Sequence, residues 1–333
     1  MKKEIQWGIL GCGGIAHKFA ESMRAVSGAR VIAAASRTPG KAEAFAKKHH
    51  IKKFYSDYAE LLNNEDVDAV YVATTHNFHY ENTRDALLAN KPVLCEKPFT
   101  VNAMEMKALI ALAERQQLFL MEGMWTRFLP AIVQLRKWLT EDLIGSIKQI
   151  RATFGFTFPF DPEHRLFNPD LAGGALLDAG IYPLSFANMV MKDKPVDVKA
   201  MGEIGATGVD LQSSYLLQYE SGCQALLNTA INAWTVSRAE VIGTKGRITI
   251  PEKFLNAKEV WLEIKDQAPI KKKFPFKDKT GFKFEIEAAS DCIRDGRFEN
   301  DVMPLADSRQ IMETIDAIKS QLGLVYANDK QWS

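Results

Sequence analysis

Three glycines and an alanine stand between an apolar run and a helix-like one in the stretch "WGILGCGGIAHKF". Gly11-Cys12-Gly13-Gly14-Ile15-Ala16 fits G-x-G-x-x-A, and the chemistry of that pattern is the gripping of a pyrophosphate by bare backbone. Gly11 permits a tight turn, Gly13 lets N–H groups approach the phosphates, and Ala16 keeps the helix close to the strand. The helix that opens through Gly14 and Ile15 adds unpaired donors and a partial positive charge. A glycine turn needed only for packing is the alternative. Its position after the first strand, at the mouth of a helix inside a strand–helix–strand unit, favours a dinucleotide.

The second strand-like run ends Ala35-Ser36-Arg37-Thr38, with Lys41 following and no acid where a cofactor lacking a 2′-phosphate would want one. Arg37 can make a bidentate, charge-assisted pair with a 2′-phosphate, and Ser36 can donate to it. Contacts of about 1.5–3 kcal/mol each favour NADP, with NAD the less favoured cofactor and a plain surface arginine the other reading.

Further along, "CEKPFT" (95–100) places Glu96 and Lys97 at the carboxyl end of another strand, where open α/β sheets put their ligands. Lys97 could hydrogen-bond a substrate oxygen and stabilise charge developing on it, with Pro98 stiffening the loop, its bond cis or trans. A surface lysine is the alternative. In "GGALLDAGIYPL" (173–184), Asp178 and Tyr182 lie four apart on one face of a helix. A phenol relays a proton to or from a hydroxyl if a nearby cation lowers its pKa. The same two residues also fit a packed tyrosine and a helix-surface acid.

The elements that must position these residues fall into two rhythms. Strand-like runs at 5–10, 30–36, 68–74, 92–96 and 118–122 alternate with helical stretches such as 39–50 and 102–117, in which Met106, Ile110 and Ala113 share a face. That alternation predicts a doubly wound parallel sheet. After Trp125 the pattern changes to long strands. Residues 146–158 alternate partially, 212–233 turn at Glu220–Gly222, and 237–250 turn at Gly243–Gly246, so an open, mostly antiparallel sheet is expected. The expected fold class is α/β followed by α+β, divided as residues 1–124 and 125–333, with a late helix over 305–324.

The chain has 333 residues and a formal net charge of +1, which gives no support for a nucleic-acid partner. The basic run "IKKKFPFKDK" (270–279) reads as a solvated turn or edge. Cys12, Cys95, Cys223 and Cys292 show no C-x-x-C spacing and read as thiols of a reducing compartment. No signal peptide and no membrane-length apolar run is evident, so a cytoplasmic protein is expected. His76 and His79 lack a third ligand, and no metal is expected.

Taken together, "GILGCGGIA", "ASR", "VATTHNFHYENTRDALLANKPVLCEKP", "GGALLDAGIYPL" and "GTKG" resemble the Gfo/Idh/MocA oxidoreductases over essentially the whole chain. The stretch "CEKPFTVNA…LFLMEGMWTRFLPA" is most similar to the dimeric dihydrodiol dehydrogenase branch, also associated with NADP-linked D-xylose oxidation. The resemblance implies a Rossmann domain and a mixed α+β domain whose open sheet forms an oligomer interface, giving a homodimer or tetramer. It implies that Lys97 is the lysine of the Glu-Lys-Pro motif, with Glu96 beside the cofactor. Tyr182 falls where the branch carries a catalytic tyrosine, Asp178 matches the associated acid, and Arg37 matches an arginine of NADP binding. His79 matches a histidine near the nicotinamide, and Thr74 neighbours the cofactor. The chain departs from the family's Thr-Pro-Asn-x-x-His in reading Thr74-Thr75-His76-Asn77-Phe78-His79, which leaves Thr75 and His76 without assigned roles. Trp125 and Arg127 match the branch's "WTRF", for which lining a substrate cleft and structural packing both stand. The aromatic run 154–160 reads as sheet packing or as an apolar cleft wall.

The expected activity is hydride transfer between NADP and a secondary alcohol or carbonyl of a sugar or cyclic diol, with neither nucleic acid nor membrane as partner. Two rivals are a redox hydrolase that retains NAD and a non-catalytic NADP sensor. Arg37 argues against the hydrolase, as does Tyr182, which such an enzyme need not have, and the sensor has no need for Lys97, Asp178 and Tyr182 together.

Overall fold

The computed structural model describes residues 3–276 and 281–331. By its internal contacts the chain forms two compact units. The first runs up to Thr100, takes in Met104–Trp125 and regains the chain in a late segment ending at Ser308. The second holds Val101–Ala103, the chain from Thr126, and Arg309 onward.

In the first unit six strands form one parallel sheet: β1 (Ile5–Leu10), β2 (Ala29–Ala35), β3 (Lys53–Tyr55), β4 (Ala69–Val72), β5 (Val93–Glu96) and β6 (Leu120–Gly123). Their order is β3-β2-β1-β4-β5-β6, so the order reverses beside β1, and the crevice at that switch point is where such sheets bind ligands. Helices α1 (Gly14–Met23), α2 (Lys41–His49), α3 (Tyr58–Leu62), α4 (His79–Leu88) and α5 (Ala103–Gln116) lie between the strands in sequence. β1, β4, β5 and β6 are buried almost without interruption, as covering both sheet faces requires. On α5, Met106 and Ala113 are fully buried, but Leu109 rather than Ile110 completes the inward face. β3 went unexpected because its three residues, Lys-Phe-Tyr, are mostly exposed and carry no apolar run.

In the second unit, α6 (Pro130–Thr140), β7 (Ile147–Gly155) and α7 (Ile181–Met191) precede strands β8 (Asp197–Ile204), β9 (Asp210–Gln218), β10 (Gln224–Ala230), β11 (Arg238–Gly243), β12 (Gly246–Ile250), β13 (Glu259–Ile264) and β14 (Ile270–Lys273). These eight strands form a sheet ordered β14-β13-β12-β11-β7-β10-β9-β8. Every adjacent pair is antiparallel except β10 with β7. The two expected hairpins are β9–β10 and β11–β12. β8 and β13 lacked a readable signal. The edge strand β14 takes up the start of the basic run 270–279, whose last three residues lie outside the described ones. One sheet face packs on α7, which is buried along its whole length but for its last residue, as an apolar helix without a polar face must be.

The chain then supplies α8 (Phe282–Arg294) to the first unit, against α1 and β1. Trp7 Nε1 donates to Ser290 Oγ on α8 at 3.1 Å. α9 (Leu305–Leu322) starts in the first unit and continues in the second.

Gly11 is the glycine whose replacement the fold resists. Its φ is +91°, and a Cβ there would stand 2.7 Å from the backbone oxygen of Ala73. Gly11→Ala is expected to cost about 1–3 kcal/mol in urea unfolding. An unchanged midpoint would show that the turn relaxes.

Candidate active site

The glycine junction leaves room where a ligand must come close. A Cβ built on Gly13 or Gly14 meets nothing within 4 Å. α1 begins at Gly14 with no side-chain cap and no acid in its first turn. Its leading N–H groups are therefore available to an anion, with the helix dipole behind them and no competing carboxylate. A dinucleotide pyrophosphate fits this cradle. Cys12, between the glycines, is buried and directs its Sγ to Ala35 O at 3.5 Å. Burial pushes its thiol up to about 11, the Lys41 charge opposing.

At the end of β2, Ser36 is buried and its hydroxyl oxygen accepts from Thr38 N at 3.3 Å, a bond that does not use the hydroxyl proton. Arg37 and Lys41 are exposed. The three cluster at the carboxyl end of β2, beside the glycine junction that follows β1.

Lys97 is half-buried at the carboxyl end of β5, and its bond to Pro98 is cis. The loop behind it is anchored by Glu122 on β6, which accepts from Phe99 N at 3.1 Å and from Ser308 Oγ at 2.7 Å. His79, fully buried at the start of α4, sets Nδ1 2.7 Å from Pro98 O and Nε2 3.2 Å from Thr74 O. Its ring thus ties the end of β4 to the Lys97 loop. The Thr74 hydroxyl is oriented by Asn82 Nδ2, which donates to it at 3.0 Å. Trp125 stacks on Phe282, ring centroids 5.2 Å apart.

Glu96 faces inward. Its carboxyl accepts from the Tyr71 hydroxyl and from Lys97 N. Burial pushes it up to about 7, against the Tyr71 hydrogen bond and the Lys97 charge. Glu285 on α8 is also fully buried, with neither oxygen hydrogen-bonded. Burial, then the Glu96 charge, raises it well above the usual carboxyl range.

In the second unit, Asp178 lies in a π-turn, Leu176–Gly180, that runs directly into α7. The expected single helix face is therefore a wider turn followed by a regular helix, and π-turns recur at functional sites. Arg165 Nη1 donates to Asp178 Oδ1 at 2.8 Å. Tyr182 is buried, with Phe154 edge-on at 5.7 Å. Asp210 fixes the start of the turn, its Oδ2 accepting from Leu176 N at 2.8 Å and Ser213 Oγ at 2.9 Å. Arg127 is buried and grips α7, donating Nε to Ser185 Oγ (2.9 Å) and Nη2 to Ser185 O (2.9 Å) and Asn188 Oδ1 (2.8 Å). Of the aromatic run 154–160, Phe158 stacks on His164 and Phe160 meets Phe167 edge-on. Among the described residues no three His, Cys, Asp or Glu side chains gather as a metal site, and no helix is long and apolar enough to cross a membrane.

Residues 5–124 match the family model described as "Oxidoreductase family, NAD-binding Rossmann fold", and residues 132–249 match the "GFO/IDH/MocA C-terminal domain". The chain belongs to the Gfo/Idh/MocA oxidoreductase family. A trans-1,2-dihydrobenzene-1,2-diol dehydrogenase of Xenopus tropicalis is 36% identical over 331 residues, covering 96% of this chain and 99% of that one. The Mus musculus enzyme of the same name is 35% identical over 333 residues, covering 98% and 99%. Among solved structures, the 3-ketoreductase KijD10 from Actinomadura kijaniata, with NADP and TDP-benzene, is 28% identical with a TM-score of 0.83, over 96% of this chain and 98% of that one. An aldose-aldose oxidoreductase from Caulobacter crescentus, complexed with glycerol, is 25% identical with a TM-score of 0.87 over 99% of both chains. As a family member the chain is an NAD(P)-binding oxidoreductase.

Within this Gfo/Idh/MocA chain, sequence reading missed Tyr71, Glu285, Arg165 and Asp210. None lies in a motif, and each acts on residues distant in sequence. The buried Glu96–Glu285 pair has a readable consequence. Both carboxyls have folded-state pKa values above the ordinary 4.5. Their stability contribution is thus fully present below about pH 4.5 and is lost as pH rises through about 7 and beyond. Glu285→Gln is expected to flatten that decline, gaining about 1–3 kcal/mol over the parent near pH 8. Urea midpoints measured between about pH 5 and pH 9 check it, and superimposable curves would show the carboxyls uncoupled.

Proposed function

We propose that this chain is an NADP-dependent dehydrogenase or reductase acting on a secondary alcohol or carbonyl of a sugar or cyclic diol. The observation that carries the reading is Lys97, held half-buried at the carboxyl end of β5, in the unit whose bare glycine backbone opens at the carboxyl end of β1. The relatives named as diol dehydrogenases, a ketoreductase and an aldose oxidoreductase support an alcohol–carbonyl substrate. Ser36, Arg37 and Lys41, with no acid at the end of β2, favour the 2′-phosphate.

A bound nicotinamide would supply or accept the hydride. Gly11, Gly13, Gly14 and Ile15 would hold the pyrophosphate through backbone N–H groups, while Thr74, His79 and Glu96 shape the floor around the carboxyl end of β5. Lys97 donates a hydrogen bond to the reacting oxygen and stabilises its negative charge. A neutral Glu96 below its raised pKa leaves that ammonium charge uncompensated, and so stronger towards the substrate. Tyr182 gives its phenolic proton to the oxygen in reduction and takes it back in oxidation. Asp178, held by Arg165, positions Tyr182. Trp125 and Arg127 complete the substrate side, Arg127 through its grip on the helix that carries Tyr182.

A second copy of this chain is the partner that suits the open face of the eight-stranded sheet. Leu216 and Leu226, directly paired across β9 and β10, are 41% and 42% exposed there. Burying such a pair in a dimer is favourable by the hydrophobic effect.

Lys97→Met is expected to lower turnover on polyols or sugars by about tenfold or more with NADPH affinity retained. Unaltered turnover would remove Lys97 from the reaction. Leu226→Asp is expected to shift the protein to single-chain mass in light scattering. A parent already of single-chain mass would refute the dimer.

A further inference from the structure

Three loops at the carboxyl ends of β2, β3 and β4 converge on one side chain. Arg37 follows β2. Tyr58 opens α3 after β3, its helix start capped by Asp57 Oδ1, which accepts from Ala59 N at 2.6 Å. Phe78 closes the short turn between β4 and α4. The guanidinium carbon of Arg37 lies 4.4 Å from the Phe78 ring centroid and 5.2 Å from that of Tyr58. Both are within the range in which a ring's quadrupole attracts a cation. The rings are half-buried, while Arg37 is exposed and forms no ion pair with any described residue. Burial raises the Tyr58 phenol, and the Arg37 charge and hydrogen bonding from Arg37 oppose that rise.

We propose that Tyr58 and Phe78 form an aromatic clamp that fixes Arg37 as the reader of the cofactor's 2′-phosphate, which makes them cofactor-specificity residues. The inference rests on the NADP reading above and deepens it. A guanidinium attracts aromatic rings over their faces, while its N–H donors lie in its own plane. The Phe78 face occupies no hydrogen-bond donor, whereas a carboxylate partner would consume the same fork that a phosphate needs. An arginine otherwise loses several rotatable bonds of freedom on meeting its anion, and a clamp removes much of that loss beforehand. Phe78 has a second effect. It lies one residue before His79, whose ring touches both Thr74 O and Pro98 O next to Lys97. Occupation of the Arg37 end therefore bears on the segment that floors the reactive end, and a 2′-phosphate would influence turnover as well as affinity.

Tyr58 lies outside the motifs that carried the resemblance, and Phe78 lies within one of them at a position the family pattern leaves open. Phe78 sits in the stretch where this chain departs from the family pattern, Thr74-Thr75-His76-Asn77-Phe78-His79.

The test compares NADPH and NADH dissociation constants, by nucleotide fluorescence titration, for the full chain and for Arg37→Ala, Phe78→Leu, Phe78→Tyr and Tyr58→Leu. Phe78→Leu and Tyr58→Leu are each expected to weaken NADPH about fivefold to twentyfold while changing NADH by less than about twofold. Phe78→Tyr, which keeps a ring, is expected to retain the parent's NADPH affinity. In an Arg37→Ala background, Phe78→Leu should add no further loss, because the ring acts only through the arginine. Equal weakening of both nucleotides would mark Phe78 and Tyr58 as packing residues and overturn the clamp. So would unchanged NADPH binding in both leucine variants while Arg37→Ala loses it. If Arg37→Ala itself leaves the NADPH-to-NADH ratio unchanged, the 2′-phosphate reading falls first, and the clamp falls with it.

Discussion

A helix that begins without a cap is the constraint on which the nucleotide unit turns. The leading N–H groups of α1 cannot be satisfied within the helix, and no side chain caps it. They need water or an anion. Everything near them keeps the approach clear, including the positive φ of Gly11, the empty space beyond Gly13 and Gly14, and a first turn without an acid. The strand order does the rest, since the reversal beside β1 leaves a crevice at the carboxyl ends of β1 and β4.

Around that crevice, buried carboxyls do the positioning. Glu122 holds the Phe99 amide and the Ser308 hydroxyl, which keeps the Lys97 loop in place. Glu96, beneath the same loop, is raised to about 7 and shares its burial with Glu285. The second unit repeats the device with a different acid. Asp210, pushed up to about 6 by burial, accepts from Leu176 N at the head of the turn carrying Asp178. In each unit a carboxyl that burial makes harder to ionise supports a segment bearing a candidate reactive group. Such groups stabilise local geometry through hydrogen bonds, at the expense of tolerance to high pH.

What sequence could and could not reveal follows from the range of the interactions. The Rossmann half was legible because continuous burial prints itself as short apolar runs, and because a phosphate-gripping turn needs glycines at fixed spacing. The hairpins β9–β10 and β11–β12 were legible because their turns are local. β3 and β14 were not, being short and exposed, and β8 is exposed along most of its length. Lys97, Asp178 and Tyr182 stand in motifs and could be nominated. Glu285 and Arg165 could not, since the first meets Glu96 and the second meets Asp178 only after the chain has folded back on itself. The π-turn at Leu176–Gly180 was also hidden, because i, i+4 spacing reads alike in either helix type.

The return of α8 sets a timetable for the nascent chain. Its residues complete the interior around β1, giving Trp7 its hydrogen-bonding partner Ser290 and setting Glu285 beside Glu96. A ribosome that has released the first six strands has therefore not yet produced a finished nucleotide unit. Roughly 160 further residues must emerge before α8 arrives, while domains in general fold as they are synthesised. A fragment ending near Trp125 would expose the faces of α1 and β1 that α8 covers, which makes the cofactor half a poor candidate for expression by itself.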